Sequence, residues 1–281
     1  MKKIACEPMV GSDIEFFALQ DSAILPCVGI IPGTKEKPWS GKNWTPGFAL
    51  QEDNVMVEVN IPPCTSAHDF TEAVNAVKRY ATRELSKRID PVDLPFIDLA
   101  RKVTHTFTEE QLDSPQAQLI GCDPDFDAYT GGEIRHAPED VLGLSRSCGG
   151  HIHIGGDFKC PDFVAALFTE LIYCSMTGPR GIDKGVRAKW YGQPGIFRPK
   201  PYGIEYRTPS NKWAFDENDT WAAGVAGMRA AKYLTNTDAA QLHDTFNAIN
   251  WTEVRDYVAN PDSKKWKALR GIANSHGMGE L

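Results

Sequence analysis

Four short segments of the 281-residue chain place two polar side chains two positions apart, between apolar neighbours. These pairs are Asp13 and Glu15, Glu58 and Asn60, His151 and His153, and Glu205 and Arg207. Successive side chains of a β-strand point to opposite faces, so the two members of each pair share a face. If the four strands belong to one sheet, carboxylates, imidazoles and a guanidinium group meet on a single surface.

Such a surface suggests a site for divalent cations. Converging carboxylates repel one another unless a cation lies between them. Oxygen ligands joined by one imidazole suit Mg²⁺ or Mn²⁺ better than Zn²⁺. The ordinary alternative is that each strand is half-exposed, with its polar side chains in water. Acidic residues are depleted in strands, however, and four pairs made of Asp, Glu, His, Asn and Arg favour the metal interpretation.

A basic segment comes shortly before the fourth pair. It holds four cationic side chains among glycines and aromatic residues: Arg187, Lys189, Arg198 and Lys200. Arg and Lys are common partners of phosphate oxygens, and glycines let the backbone approach those oxygens closely. Alone, the segment is equally well explained as a solvated loop. Beside a carboxylate-rich site, we interpret it as a flank that binds a triphosphate, and the loop Gly178–Pro201 as a candidate lid.

Predicted strands and helices, which differ in the spacing of their apolar residues, must position these side chains. Four strands are predicted from β-branched and aromatic residues between turn formers: Ser12–Leu19, Val55–Ile61, His151–Gly155 and Tyr202–Thr208. Four helices are predicted from the spacing of apolar residues: Asp69–Ile89, Asp162–Met176, Trp221–Leu234 and Ala239–Val258. Segments rich in Gly and Pro are expected to be loops: Ile31–Pro46, Pro124–Pro138 and Gly178–Pro201. The polar tail after Lys265 is expected to be loose.

The mixture of strands and long helices lacks a regular βαβ rhythm. It indicates an α+β fold, in which a curved and mostly antiparallel sheet carries helices on one face. No linker divides the chain, so residues 1–281 are predicted to form a single domain. The net charge of −7, without a basic stripe, argues against nucleic acid as a partner. No stretch reaches the length of a membrane span, and seven scattered cysteines fit free thiols in a reducing cytoplasm.

The four pairs lie in segments that resemble the carboxylate–amine (COOH–NH2) ligases related to glutamine synthetase and glutamate–cysteine ligase. The segments are similar in particular to the phage-encoded COOH–NH2 ligases of type 2. The matching stretches are Gly-Ser-Asp13-Ile-Glu15-Phe-Phe, Asp53-Asn-Val-Met-Val-Glu58-Val-Asn60-Ile-Pro-Pro, Gly149-Gly-His151-Ile-His153-Ile-Gly and Tyr202-Gly-Ile-Glu205-Tyr-Arg207-Thr-Pro-Ser-Asn. They follow the superfamily's order up to about residue 213. Any one stretch is a weak signal, whereas the order of all four is fairly specific.

The resemblance implies a glutamine synthetase-like catalytic domain that uses ATP to activate a carboxylate as an acyl phosphate. The implied ligands of two or more Mg²⁺ or Mn²⁺ ions are Asp13, Glu15, Glu58, His151 and Glu205. Glu15 and Glu58 would hold the ion near the substrate carboxylate, and the other three would hold the ion that bridges the nucleotide phosphates. His153 would contact the phosphates with the basic segment. Glu205 and Arg207 would be catalytic, with Arg207 stabilising the transferring phosphoryl group.

Three positions depart from the superfamily's pattern. Asp13 stands where these families usually place Glu, which shortens its reach to a metal ion. Gly203 stands where glutamine synthetase has a further Arg, so that contact would come from Lys200 or Arg198. A further acidic ligand is expected before Glu58, and either Glu52 or Asp53 could supply it. The pair Glu133 and Arg135 is a further candidate extension of the site.

The implied substrates are a carboxylate and an amine, each a small molecule or a peptide, in the cytoplasm or in a host cytoplasm if the protein is phage-encoded. The resemblance leaves a homo-oligomer open. The main alternatives are a metal-dependent hydrolase or a cupin-like oxygenase built on His151-Ile-His153, and a non-catalytic relative that acts as a binding subunit. His-Glu-x-x-His, P-loop and GxGxxG motifs are absent. The non-catalytic alternative is disfavoured because four residues of the implied site are intact: Glu58, His151, Glu205 and Arg207.

Overall fold

A computed structural model describes residues 4–118, 125–134, 143–178 and 186–279. The strands, in chain order, are β1 (Met9–Phe16), β2 (Ala18–Gln20), β3 (Ala23–Leu25), β4 (Ala49–Asp53), β5 (Met56–Asn60), β6 (Asp98–Leu99), β7 (Thr104–Thr106), β8 (Asp125–Asp127), β9 (Glu133–Ile134), β10 (Ser145–Ser147), β11 (Gly150–Gly155), β12 (Ile196–Lys200) and β13 (Gly203–Tyr206). The helices are α1 (Ala67–Ile89), α2 (Pro115–Gln118), α3 (Asp162–Thr177), α4 (Val186–Trp190), α5 (Glu217–Asn236), α6 (Ala239–Ala248), α7 (Trp251–Ala259) and α8 (Ser263–Ser275). Short 3₁₀ turns occupy Glu110–Leu112 and Asn211–Phe215.

Eight strands form the main sheet in the order β4-β5-β1-β11-β13-β12-β8-β9. Each of its strand pairings is antiparallel. Two smaller antiparallel sheets, β3-β2-β6 and β10-β7, stand beside it. The α+β class with antiparallel sheets is therefore confirmed.

Helices cover one face of the main sheet. Helix α1 packs against β5, α5 against β1 and β11, and α3 against β13. The strand positions that alternate with the polar pairs are buried beneath this helical layer, including Ile14, Ile152 and Ile204 at 0% exposure. Gly227 of α5 allows close contact, because a Cβ atom there would lie 2.6 Å from the Val10 side chain. The hydrophobic core thus lies behind the sheet and leaves the other face for polar side chains.

Three of the four predicted strands and the first three predicted helices form, with shifts of a few residues at their ends. The first predicted strand, Ser12–Leu19, is instead divided at Phe17 between β1 of the main sheet and β2 of a smaller sheet. The prediction of one helix over Ala239–Val258 is wrong, because α6 ends at Ala248 and α7 begins at Trp251. Asn250 causes the break by accepting a hydrogen bond from the backbone N–H of Glu253 as an N-cap.

The prediction of a loose tail is also wrong. Helix α8 begins after Asp262, whose side chain accepts hydrogen bonds from the backbone N–H groups of Lys264 and Lys265. Leu269 and Ala273 are buried, four residues apart on one side of this helix. Trp266 and Ile272 of the same helix are partly buried. Charged and polar residues separate these apolar positions, and a pattern so sparse resembles a loop.

Two segments expected to be loops contain sheet strands. Strands β8 and β9 lie within Pro124–Pro138, and β12 lies within Gly178–Pro201. Because β12 is an interior strand, Ile196–Lys200 is no part of a mobile lid. Residues 179–185, which the lid hypothesis also covers, lie outside the described residues.

Two further expectations concern the whole chain. The six described cysteines are free thiols, as expected, and Cys122 lies outside the described residues. Within the described ranges, none of the helices combines the length and apolar composition needed to cross a bilayer.

Candidate functional site

The sheet register brings the four polar pairs together on the face opposite the helices. The cross-strand neighbours are Asp13 and His151, Asp13 and Asn60, Glu15 and Glu58, and His153 and Glu205. Members of all four pairs line one cavity of about 800 Å³. The predicted sharing of one face is confirmed, because the antiparallel pairing keeps the alternation of all four strands in phase.

The first group of potential metal ligands consists of Asp13, His153 and Glu205. One ligand atom from each lies within 4.8 Å of the other two. His151 is close by, with Nδ1 2.8 Å from Asp13 Oδ1 and 3.4 Å from Glu205 Oε1. The imidazole within this group is thus His153, whereas the His151 that the resemblance implies lies beside the group.

The second group consists of Glu15, Asp53 and Glu58, again within 4.8 Å of one another. Asp53, at the end of β4, is thus the further acidic residue beside Glu58. Glu52 lies one position earlier on β4, and its Oε2 accepts a hydrogen bond of 2.6 Å from the backbone N–H of Gly29. Of the two residues left open by the sequence, the structure places Asp53 and not Glu52 in the group with Glu15 and Glu58.

Burial and charge repulsion alter the acidity of two carboxyls in the second group. Burial, followed by the charges of Asp13, Asp53 and Glu15, raises the pKa of the Glu58 carboxyl well above its usual value. Burial and the charge of Asp53 also raise the pKa of Glu15. A divalent cation would stabilise the ionised form of these two carboxyls, because its charge offsets the neighbouring negative charge.

In the first group, neighbouring positive charge lowers the pKa values of the carboxyls despite their burial. Burial raises the pKa of the Asp13 carboxyl, but the charges of His153 and His151 outweigh it and hold the pKa well below its usual value. Burial also acts to raise the pKa of Glu205, but the charges of Arg207, His151 and His153 together outweigh burial and lower this pKa. Both carboxylates are accordingly ionised at neutral pH, the state in which they can bind a cation.

Three cationic side chains converge on the fully buried carboxylate of Glu205. Lys200 Nζ lies 2.7 Å from Oε2, Arg198 Nη1 lies 3.6 Å from the same oxygen, and Arg207 Nη1 contacts Oε1. All three cations line the cavity. This end of the site therefore presents positive charge beside a group of potential metal ligands.

Asp125 on β8 holds two of these cations, and the sequence prediction missed it. Its Oδ1 accepts a hydrogen bond of 2.9 Å from Arg198, and its Oδ2 accepts one of 3.0 Å from Arg207. A signal was present, since Asp125-Phe126-Asp127 shows the same alternation as the other pairs. Its strand is only three residues long and stands in a segment rich in Gly and Pro, which predicts a loop.

The two remaining basic candidates, from helix α4, occupy different environments. Arg187 is 2% exposed, lines the cavity and donates hydrogen bonds to the backbone oxygens of Thr208 and Arg207. Lys189 is exposed and lies outside the lining of the cavity. Of the four basic candidates, the structure thus brings Arg187, Arg198 and Lys200 to the cavity but not Lys189.

Tyr202 fixes the orientation of His153. The tyrosine hydroxyl lies 2.8 Å from Nδ1 of the imidazole, and the two rings stack with their centroids 5.9 Å apart. Nε2 of His153 then faces Asp13, whose Oδ2 is 3.1 Å away. A hydrogen bond to one ring nitrogen is the usual means of orienting the other toward a metal ion or a phosphate.

Glu170 supports the basic end of the site from the helical face. It is fully buried on α3, and its carboxylate accepts hydrogen bonds from the backbone N–H of Gly195 and from the hydroxyls of Tyr129, Tyr206 and Thr208. These four partners adjoin or belong to β8, β12 and β13. One side chain therefore ties together the strands that carry Asp125, Arg198 and Glu205.

Two buried atoms of the first group indicate a fit to a cation. Glu205 Oε2 and His153 Nε2 are both buried, and neither has a hydrogen bond of normal geometry among the described residues. Lys200 and Asp13 approach them only as ion-pair partners. Together with the oxygen-rich second group, these donors fit Mg²⁺ or Mn²⁺.

The further candidate pair, Glu133 and Arg135, does not extend the site among the described residues. Glu133 is exposed at the edge of the sheet, and Arg135 lies outside the described residues.

Comparison of the sequence with models of known protein families and with curated proteins gives no match.

Proposed function

We propose that this chain is an ATP-dependent ligase that joins a carboxylate to an amine through an acyl phosphate. The observation that carries the proposal is the composition of one sheet face. Two groups of potential metal ligands lie there, and three cations converge on Glu205, all around one cavity. A reaction that brings a polyanionic nucleotide up to a second anion needs carboxylates that hold divalent cations and cationic side chains that bind phosphate.

The reaction follows from the poor electrophilicity of a carboxylate. An oxygen of the acid attacks the γ-phosphorus of ATP, the bond to the β-phosphate oxygen breaks, and ADP leaves. The nitrogen of the amine then attacks the acyl carbon and loses a proton, and inorganic phosphate leaves. Divalent cations held by the two carboxylate groups would offset the repulsion between the acid and the triphosphate.

Residues of the chain take distinct parts in this reaction. Lys200, Arg198 and His153 hold the phosphates, because their charged or polar nitrogens line the cavity at one end. Arg207 stabilises the transferring phosphoryl group, since its planar guanidinium can match two phosphate oxygens at once. The group of Glu15, Asp53 and Glu58 lies on the far side of Asp13 and marks the end where the acid is activated.

The order of the four motifs along the chain supports placing this protein beside the glutamine synthetase-like ligases, with their catalytic domain as its fold. ATP with Mg²⁺ or Mn²⁺ is the proposed cofactor set. The acid and amine are proposed to be small molecules or peptides. An eight-stranded antiparallel sheet with helices on one face and ligands on the other is consistent with that placement.

The test is an ADP-release screen that crosses a panel of carboxylic acids with a panel of amines, in the presence of ATP and Mg²⁺ or Mn²⁺. ADP release should require one acid and one amine together. Arg207→Gln should reduce the rate by about 100- to 1,000-fold, the usual effect of removing a group that stabilises transition-state charge. Glu72→Gln, on the exposed side of α1, is the matched control and should keep the rate.

ADP release that proceeds equally well without acid and amine would contradict the ligase and favour a nucleotide hydrolase. An unchanged rate in Arg207→Gln would show that this face of the sheet takes no part in the reaction.

A further inference from the structure

A buried carboxylate lies between the two arginines at the basic end of the site. Asp125 is 1% exposed, and each of its oxygens accepts a hydrogen bond from a different guanidinium. It binds Arg198 through Nη2 and Arg207 through Nε. A single side chain thereby fixes two cations, one from the middle of β12 and one that directly follows β13.

The sheet register explains why one carboxylate can reach both. Arg198 is opposite Glu205 on β13, and continuing the pairing of β12 with β8 by one residue places Asp125 opposite Arg198. Arg198 thus stands between two buried carboxylates in one cross-strand row. Arg207 follows Glu205 by two positions, so its side chain emerges on the same face.

Asp125 restrains where the guanidinium groups can point. Both arginines also approach Glu205, Arg198 through Nη1 at 3.6 Å and Arg207 through Nη1. Without Asp125, the buried Glu205 carboxylate would draw both guanidinium groups closer to itself, since desolvated opposite charges attract strongly. Asp125 opposes this movement because it accepts a hydrogen bond from each guanidinium on the other side. These two charge-assisted hydrogen bonds offset the free-energy cost of burying the Asp125 charge.

We propose that Asp125 is a positioning residue that presents Arg198 and Arg207 side by side as a clamp for the phosphate groups of the nucleotide. The inference rests on the proposed function, because it assigns the phosphate end of that same site. Asp125 itself touches no phosphate. It acts by fixing the spacing and direction of the two guanidinium groups. Their N–H donors can pair with phosphate oxygens only when both groups point into the cavity.

The chain supplies a matched control two residues away. Asp127 is also buried, lies on the same strand, and has an ion pair of 3.0 Å with Arg255. Arg255 is 41% exposed and lies outside the lining of the cavity. Asp125→Asn and Asp127→Asn therefore remove the same charge from the same short strand, but only the first changes the proposed clamp.

Two measurements on the full-length chain test the proposal. The first is calorimetric titration with MgATP and with adenosine. Asp125→Asn should weaken MgATP binding by about 10- to 100-fold, as loss of an orienting partner usually does, and should leave adenosine binding unchanged. Asp127→Asn should stay within about twofold of wild type for both ligands. A general structural defect would weaken both ligands together.

The second measurement is the ¹⁵N–¹H NMR signal of the Arg207 Nε–H group, assigned by its loss in Arg207→Lys. Bonded to buried Asp125, this proton should exchange slowly in wild type and in Asp127→Asn. It should exchange rapidly in Asp125→Asn. If Asp125→Asn does not fold, Arg198→Lys takes its place, because a single ammonium group cannot bridge Asp125 and a phosphate as the guanidinium fork does.

The outcomes separate the two hypotheses. Equal MgATP affinity in wild type and Asp125→Asn, or in Arg198→Lys where that substitute is used, overturns the clamp and leaves the proposed function standing. A wild-type protein that binds no MgATP overturns the proposed function and the clamp with it. A loss confined to MgATP, together with the changed Nε–H signal, supports both.

Discussion

His153 illustrates how a single hydrogen bond decides what a side chain can do. Its Nδ1 is engaged by the Tyr202 hydroxyl at 2.8 Å, so Nε2 is the nitrogen that faces Asp13 and the cavity. Burial acts to lower its pKa, but Asp13 and Glu205 together outweigh burial and raise the pKa of His153. A protonated imidazole would contact phosphates, and a neutral one would bind a metal ion. Tyr202 serves either role, because both depend on the direction of the ring.

Removal of the Tyr202 hydroxyl tests that orientation. Tyr202→Phe keeps the stacked ring and deletes only the partner of Nδ1, so binding of Mn²⁺ should weaken by about 10-fold. Electron paramagnetic resonance of added Mn²⁺ gives the affinity, and ¹⁵N NMR of the imidazole gives the tautomer. Tyr257→Phe, on α7 and outside the lining of the cavity, is the control and should leave both unchanged. An unaltered imidazole spectrum in Tyr202→Phe would show that the hydroxyl does not orient His153.

At the scale of elements, helix α3 supports the basic end of the site through Glu170. Burial raises the pKa of this carboxyl to about 7, although hydrogen bonds from Tyr129, Gly195 and Tyr206 act to lower it. An unfolded Glu has a pKa near 4.3, so between these values the folded chain holds a proton that the unfolded chain has released. Stability from this group is therefore complete below about pH 4.3 and falls as the pH rises toward 7.

Glu170→Gln should remove that dependence, because an amide does not titrate. A shift from 4.5 to about 7 corresponds to roughly 3 kcal/mol at 1.36 kcal/mol per pKa unit. The free energy of unfolding of the variant, relative to wild type, should thus rise by up to about 3 kcal/mol between pH 5 and pH 8. Urea unfolding in the presence of a chelator at both pH values measures the difference. Parallel pH profiles for the two proteins would contradict the account.

Strand β13 begins with a glycine that its position requires. Gly203 has φ +151°, and a Cβ atom there would lie 2.1 Å from the backbone oxygen of Ile154 on β11. Gly203→Ala should destabilise the chain by about 1–3 kcal/mol and displace Glu205, two residues on. Gly271→Ala is the matched control, since nothing lies within 4 Å and a helical alanine is favoured. Urea denaturation of both variants gives the comparison, and equal stability would show that β11 and β13 can separate at no cost.

Elements were predictable from sequence where a pattern was long enough to be periodic. The four strands of the polar pairs alternate over several residues, and α1 repeats its apolar positions over many turns. Asp125 was missed because a three-residue strand shows alternation only once. Lys189 and Arg198 were equivalent in the sequence, but helix α4 leaves the first exposed and strand β12 places the second beside Glu205. That difference depends on pairing between distant strands, which a local pattern does not contain.

At the scale of the whole molecule, one sheet separates two environments. Its helical face carries the apolar core, and its other face holds the charged groups around a single cavity. Strand parity predicted this separation, and antiparallel register determined which charges meet. The chain carries a net charge of −7, yet the cavity contains cations at one end and a cluster of three carboxylates at the other. Affinity for a metal–nucleotide complex would thus come from local arrangement and not from overall charge.

The most direct test of the account is calorimetric titration of the wild-type protein with ATP, in the presence of Mg²⁺ and again in the presence of a chelator. We predict saturable binding that requires the divalent ion and that weakens by at least about 10-fold in Glu205→Gln, whose amide no longer attracts a cation. Nucleotide binding that is absent, that is indifferent to the ion, or that is unchanged in Glu205→Gln would contradict the assignment of this sheet face as a metal–nucleotide site.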